Sequence, residues 1–588
     1  MKINQTRPVQ SAPRGQGATI PADFSEETSD GFVGSVPETA LNRPRFSSSA
    51  PTTPGLRTAF EELNTSPHVS DLRLLSDNAE SWMARWDLLS TATEHINAQY
   101  YTWDNDVFGM AMLGHIYLKA KEGVKTRIMV DAVGDTFGKR GFKSHRGGRD
   151  YLQELVALPS AEARVYHPNH QKLLTALTHP TGLEGIAANH DKILEVDGRG
   201  VVAGGRNISH HYYMHPDDKE DAWRDTDLML TGGGTAGEFQ DAFDVEFEND
   251  WITEKVGKDK LGNWSKKSGE LVGAYFMMES WLKAPPFTAE EKEFLRSDKD
   301  AREKLAATVA REAESSVSSL DPSARFNKNS KARLHELASE LVEHLELRGA
   351  SHKEKSSNFK ESEVKVIDTT SSVGKPLDEM NGAFVSLIDS ARESIDIQSP
   401  YFVLTDGATD ALKRAGERGV EISIATNTPS STDSGHTQVF FLNDWKKALA
   451  EIPNLTLHGA TGQRKMHGKM AIFDDSLTVV SSYNLDLVSK EVNGEVGAVI
   501  WGPEFAKEAR ASMEQDFQDP TVGYREYQIA RDADGHAIEN EQGFISTFGP
   551  ENHVEPAILQ KYEKKIKRWN WIREHLPQFK EVRRFAGD

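Results

Sequence analysis

Two segments of the chain carry the same chemically reactive side chains at the same spacing. The first reads NHDKILEVDGRGVVAGGRN and the second MHGKMAIFDDSLTVVSSYN, and both fit H-x-K-x4-D-x6-[GS]-[GS]-x-N. The shared positions are His190, Lys192, Asp197, Gly204, Gly205 and Asn207 in the first copy, and His467, Lys469, Asp474, Ser481, Ser482 and Asn484 in the second. Imidazole can attack an electrophile or transfer a proton, and ammonium and amide groups stabilise developing negative charge. A single copy would be weak evidence, but two copies with identical spacing predict a duplicated catalytic site.

The duplicated pattern resembles the phospholipase D superfamily. The segments GGRNISHHYY, RDTDLML, SPYFVLTDG and SSYNLDLVSKEVNGEVG are most similar to bacterial cardiolipin-synthase-type members. The resemblance covers both motif-bearing halves and leaves out the N-terminal tail, a helical insertion and the C-terminal tail. Ser481 stands where the family commonly has glycine, and Gly205 stands where serine is common. We therefore expect only Ser482 to offer a hydroxyl to a phosphate, and we expect the two halves to be unequal.

This resemblance implies a two-step displacement at phosphorus. One histidine attacks and forms a covalent phospho-histidine, and the other protonates the leaving alcohol and then deprotonates the second nucleophile. Lys192 and Lys469 hold the charge on the non-bridging oxygens, and Asn207 and Asn484 donate hydrogen bonds to it. By analogy with the family we assign the nucleophile to His190 and the acid/base to His467, with the reverse assignment left open.

Carboxylates complete the expected site. Asp225 in WRDTDLMLTGG and Glu495 in NGEVGAVIWGP lie at matching distances before Gly232 and Gly502. In the family an acid at this place hydrogen-bonds the catalytic histidine, and that role carries over to these two positions. The motif aspartates, Asp197 and Asp474, precede strand-turn-strand elements, and the family uses them more for structure than for chemistry.

Four other histidines are candidates for substrate contact or for metal binding. His436 in SSTDSGHTQVFF has a counterpart in cardiolipin-synthase-like members, which makes it a candidate for substrate contact. The cluster SHHYYMH places His210, His211 and His215 close together, but no carboxylate stands at a recognisable ligand spacing. The family needs no metal or other cofactor, and none is predicted.

The repeat extends to the elements around each motif. LLSTATEHINAQYYTWDND precedes the first copy and LIDSARESIDIQSPYFVLTDG the second, and each predicts an amphipathic helix followed by a short buried strand. Such alternation predicts an α/β fold. The resemblance implies two similar halves, each a mixed sheet flanked by helices, packed with pseudo-twofold symmetry around a shared site.

Composition divides the chain into five segments. Residues 1–65 are rich in Ser, Thr, Gly and Pro and are expected to be disordered. Residues 66–255 and 357–520 form the two halves, and residues 256–356 form a charged helical insertion between them. That insertion packs on the core or acts as a lid or membrane-docking element. Residues 521–588 end in the basic aromatic helix KYEKKIKRWNWIREHL, which packs on the protein or lies at a membrane interface.

Charge and residue counts exclude several classes of protein. The 588 residues include no cysteine, which rules out disulfides and thiolate chemistry, and the N-terminus has no secretory h-region. No run approaches the ~18 apolar residues of a membrane-spanning helix. A net charge of −21 argues against nucleic acid as a partner, although the basic segment Gly138–Arg149 could bind phosphate or remain a solvated loop.

The sequence therefore predicts a phosphodiesterase or phosphatidyltransferase that meets a glycerophospholipid at a membrane surface. Water as acceptor would give phosphatidic acid, and a lipid glycerol hydroxyl would give a product such as cardiolipin. The alternative is a nuclease of the same superfamily. A cytoplasmic or peripheral membrane enzyme and a bacterial effector exported without a cleaved signal both fit, and the chain is expected to be a monomer or a weak oligomer.

Overall fold

The computed structural model describes most of the chain from residue 55 onward. The described residues are 55–132, 134, 151–178, 183–257, 267–352, 358–373, 379–432, 434, 437–484, 486–539, 545, 562, 565 and 567. Within them, sixteen strands form one continuous mixed sheet with helices packed on it, which confirms the predicted α/β class.

Each half contributes eight strands of the described sheet. The first half supplies β1 (His68–Leu75), β2 (His95–Tyr100), β3 (Lys125–Asp131), β4 (Ala161–Tyr166), β5 (Lys192–Val196), β6 (Gly200–Gly204), β7 (Asp227–Thr231) and β8 (Thr253–Lys255). The second half supplies β9 (Lys360–Thr369), β10 (Ser394–Gln398), β11 (Glu421–Asn427), β12 (Leu455–Ala460), β13 (Met470–Phe473), β14 (Leu477–Ser481), β15 (Glu495–Trp501) and β16 (Tyr524–Tyr527).

Fifteen α-helices accompany the strands in the described part of the chain. They are α1 (Leu56–Glu62), α2 (Asn78–Thr91), α3 (Val107–Lys121), α4 (Tyr151–Leu155), α5 (Asn169–Thr178), α6 (Gly233–Phe247), α7 (Ser268–Lys283), α8 (Ala289–Ser297), α9 (Lys299–Leu320), α10 (Ser330–Leu341), α11 (Glu379–Ser390), α12 (Asp406–Glu417), α13 (Thr437–Glu451), α14 (Leu487–Glu491) and α15 (Pro503–Gln518). None of these helices is long and apolar enough to cross a bilayer.

The strand order reads the same from both ends of the sheet. It runs β16-β12-β11-β10-β13-β14-β15-β9-β1-β7-β6-β5-β2-β3-β4-β8, so every strand of the first half has a counterpart in the second. The halves join where β1 and β9 pair antiparallel, from His68 opposite Val364 to Leu72 opposite Lys360. The fold therefore has the pseudo-twofold arrangement that the resemblance implies, with its axis between β1 and β9.

Equivalent local signals form the crossovers of the two halves. β2 and β3 pair parallel, as do β10 and β11, and parallel neighbours need a crossover connection. The helices α3 and α12 make these crossovers. Asp106 caps α3 by accepting from the backbone of Phe108 and Gly109, and Thr405 caps α12 by accepting from Ala408. The predicted helix-then-strand segments are found as α2 with β2 and α11 with β10.

The helical insertion packs against the first half. α7 lies so close to α3 that a Cβ on Gly114 would sit 2.1 Å from the carbonyl oxygen of Leu271. Leu271 and Met278 of α7 are fully buried in the same core as Met112. In the described structure these helices therefore belong to the core of the first half, the first of the two roles that the sequence left open.

Two predicted boundaries are wrong. α1 begins at Leu56 and packs Phe60 into the core of the second half, while Lys365 donates to the carbonyls of Glu61 and Leu63, so disorder cannot extend to residue 65. The second half does not end at 520, because β16 pairs antiparallel with β12. Both elements, α1 and β16, are too short to give a clear periodic signal in the sequence. Tertiary contacts stabilise them instead.

Candidate active site

His190 lies just before β5 and is buried. Its Nδ1 is 3.0 Å from each carboxylate oxygen of Glu495, at the start of β15 in the other half. The ring of Tyr101 meets the imidazole edge-on at a centroid distance of 5.0 Å. The carboxylate fixes the proton on Nδ1, which leaves the lone pair of Nε2 available for attack or proton acceptance.

His467 has the same arrangement with the halves exchanged. Its Nδ1 is 2.6 Å from Oδ2 of Asp225, which belongs to the first half. The rings of Tyr212 and Trp223 pack against this imidazole at centroid distances of 5.4 and 5.2 Å. Each histidine is therefore oriented by the carboxylate of the opposite half.

Backbone pairing across the seam imposes this exchange. The amide of His190 donates to the carbonyl of Gly494 (2.9 Å), and the amide of His467 donates to the carbonyl of Arg224 (2.6 Å). Short parallel bridges join Asn189 to Gly494 and Met466 to Arg224. The residue before each histidine is thus paired with the residue before the acid that holds it.

The two motif lysines lie beside the histidines in a buried environment. Lys469 Nζ donates to the carbonyl oxygen of His467 (2.8 Å), and Lys192 Nζ donates to that of His190. Burial lowers the pKa of Lys192 to about 7, opposed by Glu495, and the charge of Lys469 lowers it further. Two ammonium groups that repel each other at one buried seam form a site that favours an anion.

Burial also sets the protonation of the first imidazole. It lowers the pKa of His190 to about 4, although Glu495 opposes the change. Burial alone would raise the pKa of Glu495, but His190 and Lys192 hold it below its ordinary value. At neutral pH the pair is therefore a neutral imidazole that donates to a carboxylate, as a nucleophile or general base requires.

The two asparagines have different partners. Asn207 Oδ1 accepts from the amide of Thr102 (2.9 Å), and its Nδ2 donates to the hydroxyl of Tyr212 (3.0 Å). The side-chain oxygen of Asn484 is buried with no donor among the described residues, while its backbone carbonyl accepts from Ser399. Asn207 thus holds the Tyr212 ring against His467. The side chain of Asn484 has fewer hydrogen bonds among the described residues than that of Asn207.

Gly205 and Ser482 lie behind the two acids. A Cβ on Gly205 would come within 2.1 Å of Asp225 Oδ1, so the absence of a side chain makes room for the carboxylate. Ser482 Oγ donates to Glu495 Oε2 at 2.5 Å. The hydroxyl expected to meet a phosphate therefore supports the acid that orients His190.

Asp197 and Asp474 occupy the turns at the far ends of β5 and β13 from the histidines. Both have a left-handed backbone, with φ of 56° and 50°. Asp197 accepts from the amides of Thr93, Glu94 and His95, and Asp474 from the equivalent amides of residues 392–394. These aspartates hold the starts of β2 and β10 rather than contact the site.

The remaining sequence candidates have separate outcomes. His436 and the segment Gly138–Arg149 fall outside the described residues, as does nearly all of the C-terminal helix. His210 and His211 face each other with their Nε2 atoms 3.1 Å apart. The sequence did not assign Tyr101, Tyr212 and Trp223 to the site, although their rings pack against the two motif histidines. The available signal was their place at strand ends and in loops near the motifs.

Comparisons with known proteins show what the sequence and the fold are similar to. Residues 384–517 match the family model described as cardiolipin synthase, PLD-like domain. The chain is 24% identical over 460 residues to cardiolipin synthase C of Escherichia coli, covering 72% of this chain and 80% of the relative. It is 22% identical over 449 residues to the major cardiolipin synthase ClsA of Bacillus subtilis, covering 75% and 68%. The fold is similar to the crystal structure of phosphatidylserine synthase from Haemophilus influenzae Rd KW20, with a TM-score of 0.53, 14% identity and coverage of 88% and 98%.

Proposed function

We propose that this chain, which carries a phospholipase D-like domain of the cardiolipin synthase type, is a phosphatidyltransferase acting on glycerophospholipids through a phosphatidyl-histidine intermediate. The observation that carries the proposal is the paired arrangement of His190 with Glu495 and His467 with Asp225. Two oriented imidazoles beside two buried lysines are the groups that a double displacement at phosphorus needs. Relatives named cardiolipin synthase supply the substrate class.

The first step begins at His190. Its Nε2 attacks phosphorus, the P–N bond forms, and the bond from phosphorus to the leaving alcohol breaks as His467 gives that oxygen a proton. The low pKa of His190 supports this assignment, because the nucleophile must be neutral. Lys192 and Lys469 bind the non-bridging oxygens as charge accumulates on them.

The second step reverses the roles at His467. The neutral imidazole takes a proton from an incoming hydroxyl, which attacks phosphorus and breaks the P–N bond. A glycerol hydroxyl of a second lipid gives a phosphatidyl-transfer product, and water gives phosphatidic acid. We favour transfer because the relatives that match most of the chain are named synthases.

A helix with exposed leucines fits a membrane-bound substrate. Leu173, Leu174 and Leu177 of α5 are 67%, 61% and 76% exposed, and α5 lies in the connection that leads to His190. The second half joins β12 to β13 through residues 461–469 alone and has no such helix there. Exposed leucines in the connection that leads to His190 suit insertion into the interfacial region of a bilayer.

The deciding experiment follows lipid turnover on vesicles of phosphatidylglycerol, phosphatidylethanolamine and phosphatidylcholine, with EDTA and a primary alcohol present. The wild type should form phosphatidyl-alcohol and a phosphatidyl-transfer lipid, and H190A and H467A should form neither. Peptide mapping after rapid quenching should find a phosphatidyl group on His190 in the wild type, and a label on His467 would reverse the two roles. Cleavage of DNA or RNA without lipid turnover would overturn the proposal in favour of a nuclease.

A further inference from the structure

The two halves differ in the buried groups behind their histidines. In the second half, Asp516 of α15 accepts from Gln398 Nε2 (2.8 Å) and forms an ion pair with Arg224 Nε (2.6 Å). Arg224 directly precedes Asp225, the partner of His467. The acid behind the second motif is therefore neutralised by a cation that reaches across the seam.

The first half has the same amide and acid but lacks the cation. Gln99 and Glu246 occupy the places of Gln398 and Asp516, and Gly494 occupies the place of Arg224. A Cβ on Gly494 would come within 2.5 Å of Glu246 Oε1, so the carboxyl fills the space that a side chain would need.

A second carboxyl takes the place of the cation. Asp191 follows His190, whereas Gly468 follows His467, and Gln99 Nε2 donates to both Asp191 Oδ2 (2.8 Å) and Glu246 Oε2 (2.9 Å). Both acids are buried, with exposed fractions of 0% and 3%. Their remaining oxygens, Asp191 Oδ1 and Glu246 Oε1, have no donor among the described residues.

Two buried carboxyls that share one amide cannot both ionise. A proton held between them supplies the missing donor and leaves one negative charge on the pair. Burial raises the pKa of Asp191, and the charges of Asp368 and Glu495 raise it further. Burial and the charge of Asp191 likewise raise the pKa of Glu246.

The groups that face this pair come from several strands. They are Lys192 of β5, Glu495 of β15, Asp368 of β9 and Tyr166 of β4. Burial raises the pKa of Asp368 to about 7 and that of Tyr166 well above its ordinary value, and neither group can carry a positive charge. Lys192 is the one basic group in this set, and Glu495 and then Asp191 favour its charged form against burial and the charge of Lys469.

We propose that Asp191 and Glu246 share one proton and that the single negative charge of this pair keeps the Lys192 ammonium charged near neutral pH. Both are positioning residues, because they act on the phosphate oxygens only through Lys192. The inference rests on the proposed function in taking Lys192 as a phosphate ligand. The charge of the acid pair in the first half therefore depends on pH. The Arg224–Asp516 ion pair gives the second half no such dependence.

The test measures binding of sulfate, a dianion whose charge does not change over the range studied, by calorimetry at about pH 5.5 and pH 8. D191N and E246Q should each leave the alkaline loss of affinity nearly in place, because the carboxyl that remains ionises once its partner is gone and keeps the single negative charge. The D191N/E246Q double variant removes that charge and should shift the alkaline loss of affinity down by about one pH unit, which weakens binding about tenfold at the higher pH. At the lower pH the change should stay below about threefold.

The control is E195Q, which changes a buried carboxyl on β5, the strand that carries Lys192. The side chain of Glu195 pairs with His95 and Asn97. E195Q should leave the pH profile of sulfate binding unmoved. A shifted profile in either single variant, or an unshifted profile in the double variant, would overturn the proposal. If the variants fold poorly, infrared spectra of the wild type at about pH 8 decide, because Asp368, whose pKa is about 7, is then largely ionised and the proposal still requires the carbonyl stretch of a protonated buried carboxyl.

The same variants separate this inference from the proposed function. Sulfate binding that shifts as expected in a protein without phospholipid turnover would uphold the acid pair and reject the phosphatidyltransferase. Lipid turnover with unshifted sulfate binding would uphold the phosphatidyltransferase and reject the acid pair.

Discussion

His467 of the second half and Asp225 of the first half are joined by a hydrogen bond of 2.6 Å, and Glu495 holds His190 in the same way in the opposite direction. Neither motif histidine is paired with a carboxylate of its own half. The seam between the halves is thus a structural requirement for orienting both imidazoles.

This crossing predicts the effect of removing either acid. D225N and E495Q should each lower kcat about 100-fold or more, because an amide can present a donor to Nδ1 and stabilise the wrong tautomer. KM should change little, since neither acid touches the phosphate. Turnover of phospholipid vesicles measures both constants, with E195Q as the buried-acid control, and a loss confined to KM would argue against an orienting role.

The pKa values of His190 and Lys192 predict a bell-shaped dependence of kcat/KM on pH. Below about pH 4 His190 becomes protonated and loses the lone pair that attacks phosphorus. Above about pH 7 Lys192 loses the charge that binds the phosphate oxygens. K192R should keep its charge and extend activity to higher pH, at a lower maximum rate. An alkaline limb that does not move in K192R would assign it to another group.

The sequence predicted the fold class and the repeat because these depend on local periodicity and on a motif present twice. It also singled out Asp225 and Glu495, since each occupies the same place in its repeat. It could not show that Asp191 and Glu246 share an amide with Gln99, because these residues lie on different elements that only the folded sheet brings together.

The misjudged details have a similar cause. Ser482 was expected at the phosphate, but a hydroxyl on a strand end can face either way, and here it donates to Glu495. α1 was hidden in a Pro-rich tail because its stability comes from Phe60 in the second core and from the Arg57–Glu363 ion pair. Contacts distant in sequence decide both cases.

Asp197 should matter for stability rather than chemistry. Burial alone would raise its pKa, but the amides of Thr93, Glu94 and His95 hold it below its ordinary value. Its contribution is therefore present above the unfolded-state pKa of about 3.9 and is lost as pH falls through the folded-state pKa. D197A should lower the free energy of unfolding by about 1–3 kcal/mol at neutral pH.

Urea denaturation of D197A at neutral and acid pH checks this expectation. The matched control is D475A, at a position with a similar φ of 47° whose carboxylate is exposed and pairs with Arg510. Turnover per folded molecule should remain near the wild-type value in both variants. A large loss of kcat in D197A without a loss of stability would return this aspartate to the chemistry.

The exposed leucines of α5 predict how the enzyme meets its substrate. L173E/L177E should weaken binding to phosphatidylglycerol vesicles about tenfold or more, because two large apolar side chains no longer enter the interface. Hydrolysis of a short-chain lipid below its micellar concentration should be unchanged, since neither residue contacts a motif side chain. F294E is the control, as Phe294 of α8 is 56% exposed and lies in the insertion. Equal loss on vesicles and on the monomeric lipid would mean that the substitutions disturb the connection to His190, and α5 would then have a structural role.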